Sequence, residues 1–321
     1  MATILPYIMI VFGFVLLIKW ADLLVDGASS LAKKLRISDL VIWLTIVAFG
    51  TSAPELVVNV VGSVNHANDM VLGNIIWSNI ANILLILGIT SIIKSLSISP
   101  GTTWKEIPFS LLGAVVLAVT INDQLFSTAT VSSLSWADGI ILLCFFIIFM
   151  YYMFGVAQSQ NYVQEDEVKT MSHVKSLTFV AAGIAWLTFG GNFVVNNAVT
   201  LATMRWWSEK LIGVTILAVG TSLPELVTSV VAVTKSRASI AVGNIIWSNI
   251  FNVFFVLGIT ALISPVTFDP KNNIDIIMNL CVHILLFGFL FIDKKRTLQR
   301  REGIVFVVLY VVFIGSMVWL G

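Results

Sequence analysis

The chain has little charge: Asp, Glu, Lys and Arg make up 11% of its 321 residues, against 58% apolar residues and a mean hydropathy of +0.98. That balance excludes an ordinary soluble globular domain and places the chain in lipid. Neither sign of charge is in excess, since the formal net charge is +1, and no basic patch interleaved with aromatic residues occurs. Nucleic acid is thereby removed as a partner. Cysteine is scarce as well. Cys144 and Cys281 both sit inside apolar runs, where they read as small buried hydrophobes rather than a disulfide or a metal-binding pair. The three histidines, His66, His173 and His283, have no metal-ligand partner at suitable spacing, so each is expected to be satisfied within the fold or solvated. No Lys or Arg precedes the first apolar run at Ile4 and no small-residue cleavage site follows it. This run therefore reads as a retained helix, not a secretory signal.

Long apolar runs are abundant. They fall at 4–31, 39–64, 70–93, 106–121, 136–155, 176–203, 210–233, 240–263, 273–292 and 303–320. Each is long enough to approach or span the hydrocarbon layer, which needs about 20 residues per helix, so the pattern predicts ten transmembrane helices. Sorting the connections by side supports that number. Lys33, Lys34, Arg36, Lys94, Lys105, Lys169, Lys175, Lys235, Arg237, Lys294, Lys295, Arg296, Arg300 and Arg301 fall on one side, and Arg205, Lys210 and Lys271 on the other. Basic residues accumulate in cytoplasmic loops, so both termini are expected outside a plasma or inner membrane and the polar 156–175 connection inside. That connection, with Glu165, Asp166 and Glu167, reads as a solvated linker between two units, 1–155 and 176–321. Trp20, Trp104, Trp206, Trp207 and Trp319 lie near run ends as interfacial anchors.

The two units repeat each other. AFGTSAPELVVNVV at 48–61 recurs as AVGTSLPELVTSVV at 218–231, and GNIIWSNIANILLILGIT at 73–90 recurs as GNIIWSNIFNVFFVLGIT at 243–260. Both pairs share an offset of 170 without a gap, with 23 identities in 43 positions. Apolar bias alone does not match Gly, Thr, Ser, Pro, Glu, Asn and Trp. Five helices per unit is an odd number, so the second unit enters the membrane in the opposite sense. Inverted repeats with broken helices near the midplane are the architecture of secondary transporters. The expected fold is an all-α polytopic membrane protein, broken in its second and seventh helices.

The repeated motifs carry hard-cation chemistry. Pro54 and Pro224 have no amide hydrogen to give the carbonyls of Gly50 and Gly220, and in hydrocarbon a free carbonyl needs a ligand. Thr51, Ser52, Thr221 and Ser222 add hydroxyls, and Glu55 and Glu225 supply charge. Ser78 and Asn82, like Ser248 and Asn252, are four apart and present two oxygens on one helical face, while Asn79 and Asn249 point elsewhere to brace a neighbour. A cage of oxygens without imidazole or thiolate suits Ca2+, Na+ or Mg2+ rather than Zn2+ or Cu. No Lys or Arg lies in the motifs to pair the carboxylates, so each is a functional-site candidate. Two carboxylates balance one divalent ion, whereas three monovalent ions leave one positive charge, so three-for-one exchange is electrogenic.

The doubled G-T-S-x-P-E and G-N-x-x-x-S-N-x-x-N motifs resemble the alpha-repeats of the calcium/cation antiporter superfamily, best known from sodium/calcium exchangers. The resemblance implies exchange of Ca2+ for Na+, or for H+ in one branch, by two gating helices, the first and sixth, sliding over a fixed core. By position it implies metal ligands Thr51, Ser52, Glu55, Ser78 and Asn82 in one half and Thr221, Ser222, Glu225, Ser248 and Asn252 in the other. It implies no cofactor and no obligate protein partner, only the bilayer and the transported cations. Some members carry Asp where this chain has Asn252; two acidic groups favour a divalent ion without a further co-transported cation. One departure is shared by both halves: Trp77 and Trp247 stand where the family usually has glycine. Either both indoles turn to neighbouring helices or lipid, or they narrow the ion pathway.

Three other readings compete. Proton coupling is open to carboxylates in a low-dielectric cavity, which can exchange protons near neutral pH. A cation sensor without transport needs the same ligands. An intramembrane enzyme built on Glu55 and Glu225 lacks a nucleophile or zinc motif. On the first helix, Lys19, Asp22 and Asp26 are spaced for a local structural pair, and the matching sixth-helix positions hold Asn192 and Asn196.

Overall fold

The computed structural model describes residues 5–35, 42, 46–126, 130–159, 170–204, 218–292 and 296–320. The acidic stretch of the 156–175 connection, Arg36, Lys169, Arg205, Trp206, Trp207, Lys210, Lys294 and Lys295 lie outside the described residues. The chain is built from helices: α1 (Leu5–Leu35), α2 (Ala53–Val64), α3 (Asn68–Ile93), α4 (Thr102–Thr120), α5 (Trp136–Ser159), α6 (His173–Met204), α7 (Leu223–Thr234), α8 (Ala238–Ile263), α9 (Asn273–Ile292) and α10 (Arg300–Leu320). Among the described residues, seven helices are long and apolar enough to cross a membrane, and α2 and α7 are shorter apolar helices.

Burial separates centre from periphery. α3 and α8 are the most enclosed of the seven, whereas α1, α5 and α10 expose apolar side chains such as Val15, Ile147 and Val311. An apolar exterior is what lipid-facing helices require, because tails solvate it as well as a protein core does. The same exterior carries both cysteines. Cys144 and Cys281 are free and exposed, contrary to the expectation of buried hydrophobes, since their apolar neighbours in sequence face lipid as well as core.

Two small clasps tie the halves together. β1 (Leu96–Ser97) pairs antiparallel with β4 (Thr297–Leu298), and β2 (Ser132–Leu134) with β3 (Val266–Phe268). Each clasp takes one strand from each side of the 156–175 connection. Small residues set the helix spacing: a Cβ at Gly303 of α10 would lie 2.7 Å from the Gly88 carbonyl oxygen of α3 and collide with Ser91 Oγ. Backbone cannot retreat as a side-chain tip can, so Gly303→Ala is expected to cost about 1–3 kcal/mol by overpacking. Thermal unfolding in detergent reads this, and an unchanged midpoint contradicts the close approach.

Long-range pairing corrects one local expectation. Asp22 and Asp26 do not pair with Lys19; both bind Lys235, at 2.7 and 2.6 Å, and Lys235 Nζ also donates to the Asp22 carbonyl at 3.1 Å. The folded chain brings the last turn of α7 against α1, which gives the two carboxylates one shared cation. The equivalent positions across the repeat are Asn192, Asn196 and Asn65, so this bridge breaks the internal symmetry. Its members are part-exposed, so Lys235→Ala is expected to change stability by about 1 kcal/mol or less, diminishing with added salt.

Candidate functional site: a buried oxygen cage

The cage begins at two helix interruptions. Ser52 (φ −86°, ψ 10°) separates the short helix Ala48–Thr51 from α2, and Ser222 (φ −86°, ψ 6°) occupies the same place before α7. Pro54 and Pro224 sit in the first turn of α2 and α7, where a missing amide hydrogen breaks no helical bond. The interruption is thus narrower than the unwound stretch expected from the Gly, Thr and Ser content. Its effect is to begin a new helix inside the protein and to put Glu55 and Glu225 in its first turn, where the helix dipole favours negative charge.

Both carboxylates are buried, at 1% and 0% exposure, and each is gripped by serines from both halves. Ser52 Oγ donates to Glu225 Oε1 at 2.8 Å and lies 3.0 Å from Ser248 Oγ, which is 3.5 Å from the same carboxylate oxygen. Exchanging the halves gives the second set: Ser78 Oγ lies 3.3 Å from Glu55 Oε1 and 2.8 Å from Ser222 Oγ, and Ser222 is 3.5 Å from Glu55. Among the described residues, no Lys or Arg hydrogen-bonds to either carboxylate.

The amides close the cage. Asn82 Nδ2 donates to Asn249 Oδ1 at 2.9 Å, and Asn252 Nδ2 to Asn79 Oδ1 at 3.0 Å. Each amide spends its N–H on the opposite half. Both asparagines open a π-helical stretch, Asn82–Leu87 and Asn252–Val256, a local widening that recurs at functional sites. As a result, four buried side-chain oxygens, Glu55 Oε2, Glu225 Oε2, Asn82 Oδ1 and Asn252 Oδ1, have no hydrogen-bond partner among the described residues. A buried acceptor left unpaired costs about 1–3 kcal/mol, more when charged. Oxygen ligands of this kind are what Ca2+ and Na+ take.

The remaining expected ligands are close by but oriented by other residues. Thr51 Oγ1 lies 3.4 Å from Asn244 Oδ1, and Thr221 Oγ1 3.4 Å from Asn74 Oδ1. Of the ten positions named from the motifs, nine are buried and Thr221 is intermediate. Asn74 and Asn244 were not singled out by the sequence, although both stand in the repeated G-N pair; Asn74 is fixed by Asn59 at 2.6 Å and Asn244 by Ser229 at 3.2 Å. Asn79 and Asn249 do brace neighbours, and the neighbours are the amides of the cage.

Comparison with known proteins places the chain in a family. The family model described as sodium/calcium exchanger protein matches residues 5–155 and 175–319. The chain is a member of the sodium/calcium exchanger family. Among its relatives, a putative antiporter, CaxA, of Alkalimonas amylolytica is 35% identical, with 96% of both chains covered, and the inner membrane protein YrbG of Escherichia coli (strain K12) is 33% identical over 97% of this chain and 96% of its own length. The sodium/calcium exchanger MaX1 of Methanosarcina acetivorans is 28% identical, covering 96% of this chain and 97% of its own length. A solved structure of the sodium-calcium exchanger NCX_Mj, soaked with Na+ and Sr2+, superposes with a TM-score of 0.83 at 30% identity, covering 98% of this chain and 99% of that one. The fold is therefore that of a multi-pass membrane exchanger, and the family is one of cation antiporters, not of enzymes.

In this family member the two tryptophans pack against apolar side chains. Trp247 is 1% exposed and packs on Phe149, Phe146 and Phe251 with ring centroids 5.3, 6.1 and 6.5 Å away. Trp77 packs against the apolar core beside Asp275 of α9. The indole of Trp247 is accommodated by Phe146 and Phe149 of α5 and by Phe251 of its own helix, and that of Trp77 by the apolar core, which is the packing alternative.

Proposed function

We propose that this chain exchanges Ca2+ for Na+ across the membrane by alternating access at a single midplane site. The observation that carries the reading is the set of four enclosed, unpartnered oxygens, two of them carboxylate, contributed equally by the two halves. Thr51, Ser52, Glu55, Ser78, Asn82, Thr221, Ser222, Glu225, Ser248 and Asn252 are its ligand set. Glu55 and Glu225 neutralise one divalent ion, the two asparagines supply neutral oxygens, and the serines hold the carboxylates in place. Residues 1–155 and 176–321 act as two inverted five-helix repeats joined by a cytoplasmic linker at 156–175, with both termini outside. In that arrangement the exchange of halves in the serine–carboxylate and amide–amide pairs supports equivalent approaches to the site from the two sides. The names of the relatives, sodium/calcium exchangers among them, support Na+ as the counter-ion.

The test is isotope flux in reconstituted vesicles. Ca2+ uptake is expected when an outward Na+ gradient is imposed and absent when only a pH gradient is imposed. Uptake driven by pH alone assigns protons as the counter-ion, and binding of Ca2+ without flux under either gradient reduces the protein to a sensor.

A further inference from the structure

The cage is symmetric in its ligands but not in what holds them. Asn252 has two partners for its N–H group: Asn79 Oδ1 at 3.0 Å and Ser78 Oγ at 3.4 Å. Asn82 has Asn249 Oδ1 at 2.9 Å as its hydrogen-bond acceptor. The direction of the Asn82 oxygen therefore depends on which way the Asn249 amide faces, because an amide turned over would offer N–H to N–H.

Asn249 is held from behind by a residue outside the repeated motifs. His283 of α9 is 1% exposed, and its Nδ1 lies 2.8 Å from the carbonyl oxygen of Asn279. A carbonyl only accepts, so Nδ1 carries the hydrogen, and in the neutral ring Nε2 is left as an acceptor. Nε2 lies 3.4 Å from Asn249 Nδ2 and 3.1 Å from Ser110 Oγ of α4. The Asn279 carbonyl selects the tautomer and leaves Nε2 to accept from Ser110 Oγ and Asn249 Nδ2; with its Nδ2 turned to the ring, Asn249 accepts from Asn82 at Oδ1, and Asn82 Oδ1 has no hydrogen-bond partner among the described residues. The second acceptor for Asn249 Nδ2, the Asn79 carbonyl at 3.4 Å, is as distant as the imidazole. At the position equivalent to His283 across the repeat stands Gly113, beside the ring of Phe254, so Asn79 has no imidazole behind it.

We propose that His283 is a positioning residue for cation binding: through Asn249 it keeps the side-chain oxygen of Asn82 directed into the cage. The proposal rests on Asn82 being a cation ligand. His283 touches no carboxylate of the cage and is itself no ligand; its action is to choose one of two amide orientations that are equal in shape and opposite in polarity. With an amide nitrogen turned inward, the site would present N–H to a cation and lose one of its four unpartnered oxygens.

The experiment is Ca2+ uptake in vesicles under an outward Na+ gradient, with KM and kcat separated. His283→Leu, which keeps an apolar side chain but has no acceptor, is expected to raise KM for Ca2+ about 5- to 20-fold while kcat stays within about twofold, the scale of one buried hydrogen bond. His283→Gln places an amide oxygen where Nε2 was and is expected to restore KM to within about threefold of the wild type. If the effect passes through Asn82, then His283→Leu adds nothing in an Asn82→Ala background, because the oxygen it orients is gone. Multiplicative effects in that double variant, failure of Gln to rescue, or a fall in kcat at constant KM each overturn the positioning role. Failure of Asn82→Ala alone to raise KM instead overturns the ligand reading beneath it.

Discussion

Replacing either Glu55 or Glu225 by Gln is expected to lower Na+-driven Ca2+ uptake by about two to three orders of magnitude. Among the described residues each carboxylate is buried, has no basic partner, and leaves one oxygen without a hydrogen bond. With both present, one Ca2+ is balanced; with one converted to an amide, the dehydrated ion keeps an uncompensated positive charge. Breaking a buried charge pair from one side costs about 3–5 kcal/mol, and each factor of ten is about 1.4 kcal/mol. The same substitutions are expected to leave the protein at least as stable as the wild type when no binding cation is present, because each removes a buried carboxylate that has no basic partner among the described residues. Uptake and thermal unfolding in chelator-treated detergent thus move in opposite senses. A variant that loses both together has simply failed to fold, and a variant with full uptake removes Glu55 and Glu225 from the ion path.

The serines are expected to be unequal, although the motif that carries them is the same. Ser52→Ala removes a hydroxyl 2.8 Å from Glu225 and 3.0 Å from Ser248, whereas Ser222→Ala removes one 2.8 Å from Ser78 but 3.5 Å from Glu55. A bond to an ionised acceptor contributes about 1.5–3 kcal/mol, and a contact at 3.5 Å is at the limit of being one. KM for Ca2+ is therefore expected to rise by a factor of at least about ten in Ser52→Ala and by only about threefold in Ser222→Ala. Equal effects would mean that the two carboxylates are held alike when the cation is bound, which the distances contradict.

Much of the site was legible because its chemistry is unusual for a membrane. Glu55 and Glu225 stand out among apolar neighbours, and an offset of 170 repeated across Gly, Thr, Ser, Pro, Glu and Asn marks both halves of the cage. Ser78 with Asn82, and Ser248 with Asn252, followed from helical spacing alone. Long-range choices were not legible. Lys235 is 213 residues from Asp22, and no local spacing rule could prefer it to Lys19. His283 gave no motif signal because its partners, Asn249, Ser110 and Asn279, come from three different helices. Cys144 and Cys281 read as buried because an apolar run looks the same whether its residues face lipid or protein; only the packing of neighbouring helices separates the two.

By itself the sequence determined that this protein lies in a membrane, that it is doubled, and that two carboxylates stand among repeated hydroxyl and amide residues, because composition and periodicity follow from the cost of polar groups in lipid. Tertiary structure alone decided which half supplies the partners. Ser52 serves Glu225, Ser78 and Ser222 serve Glu55, and each cage amide is turned by an asparagine across the interface. The physical reason is that a hydrogen bond has direction and reach of about 3 Å, which the fold sets and the order of residues along the chain does not.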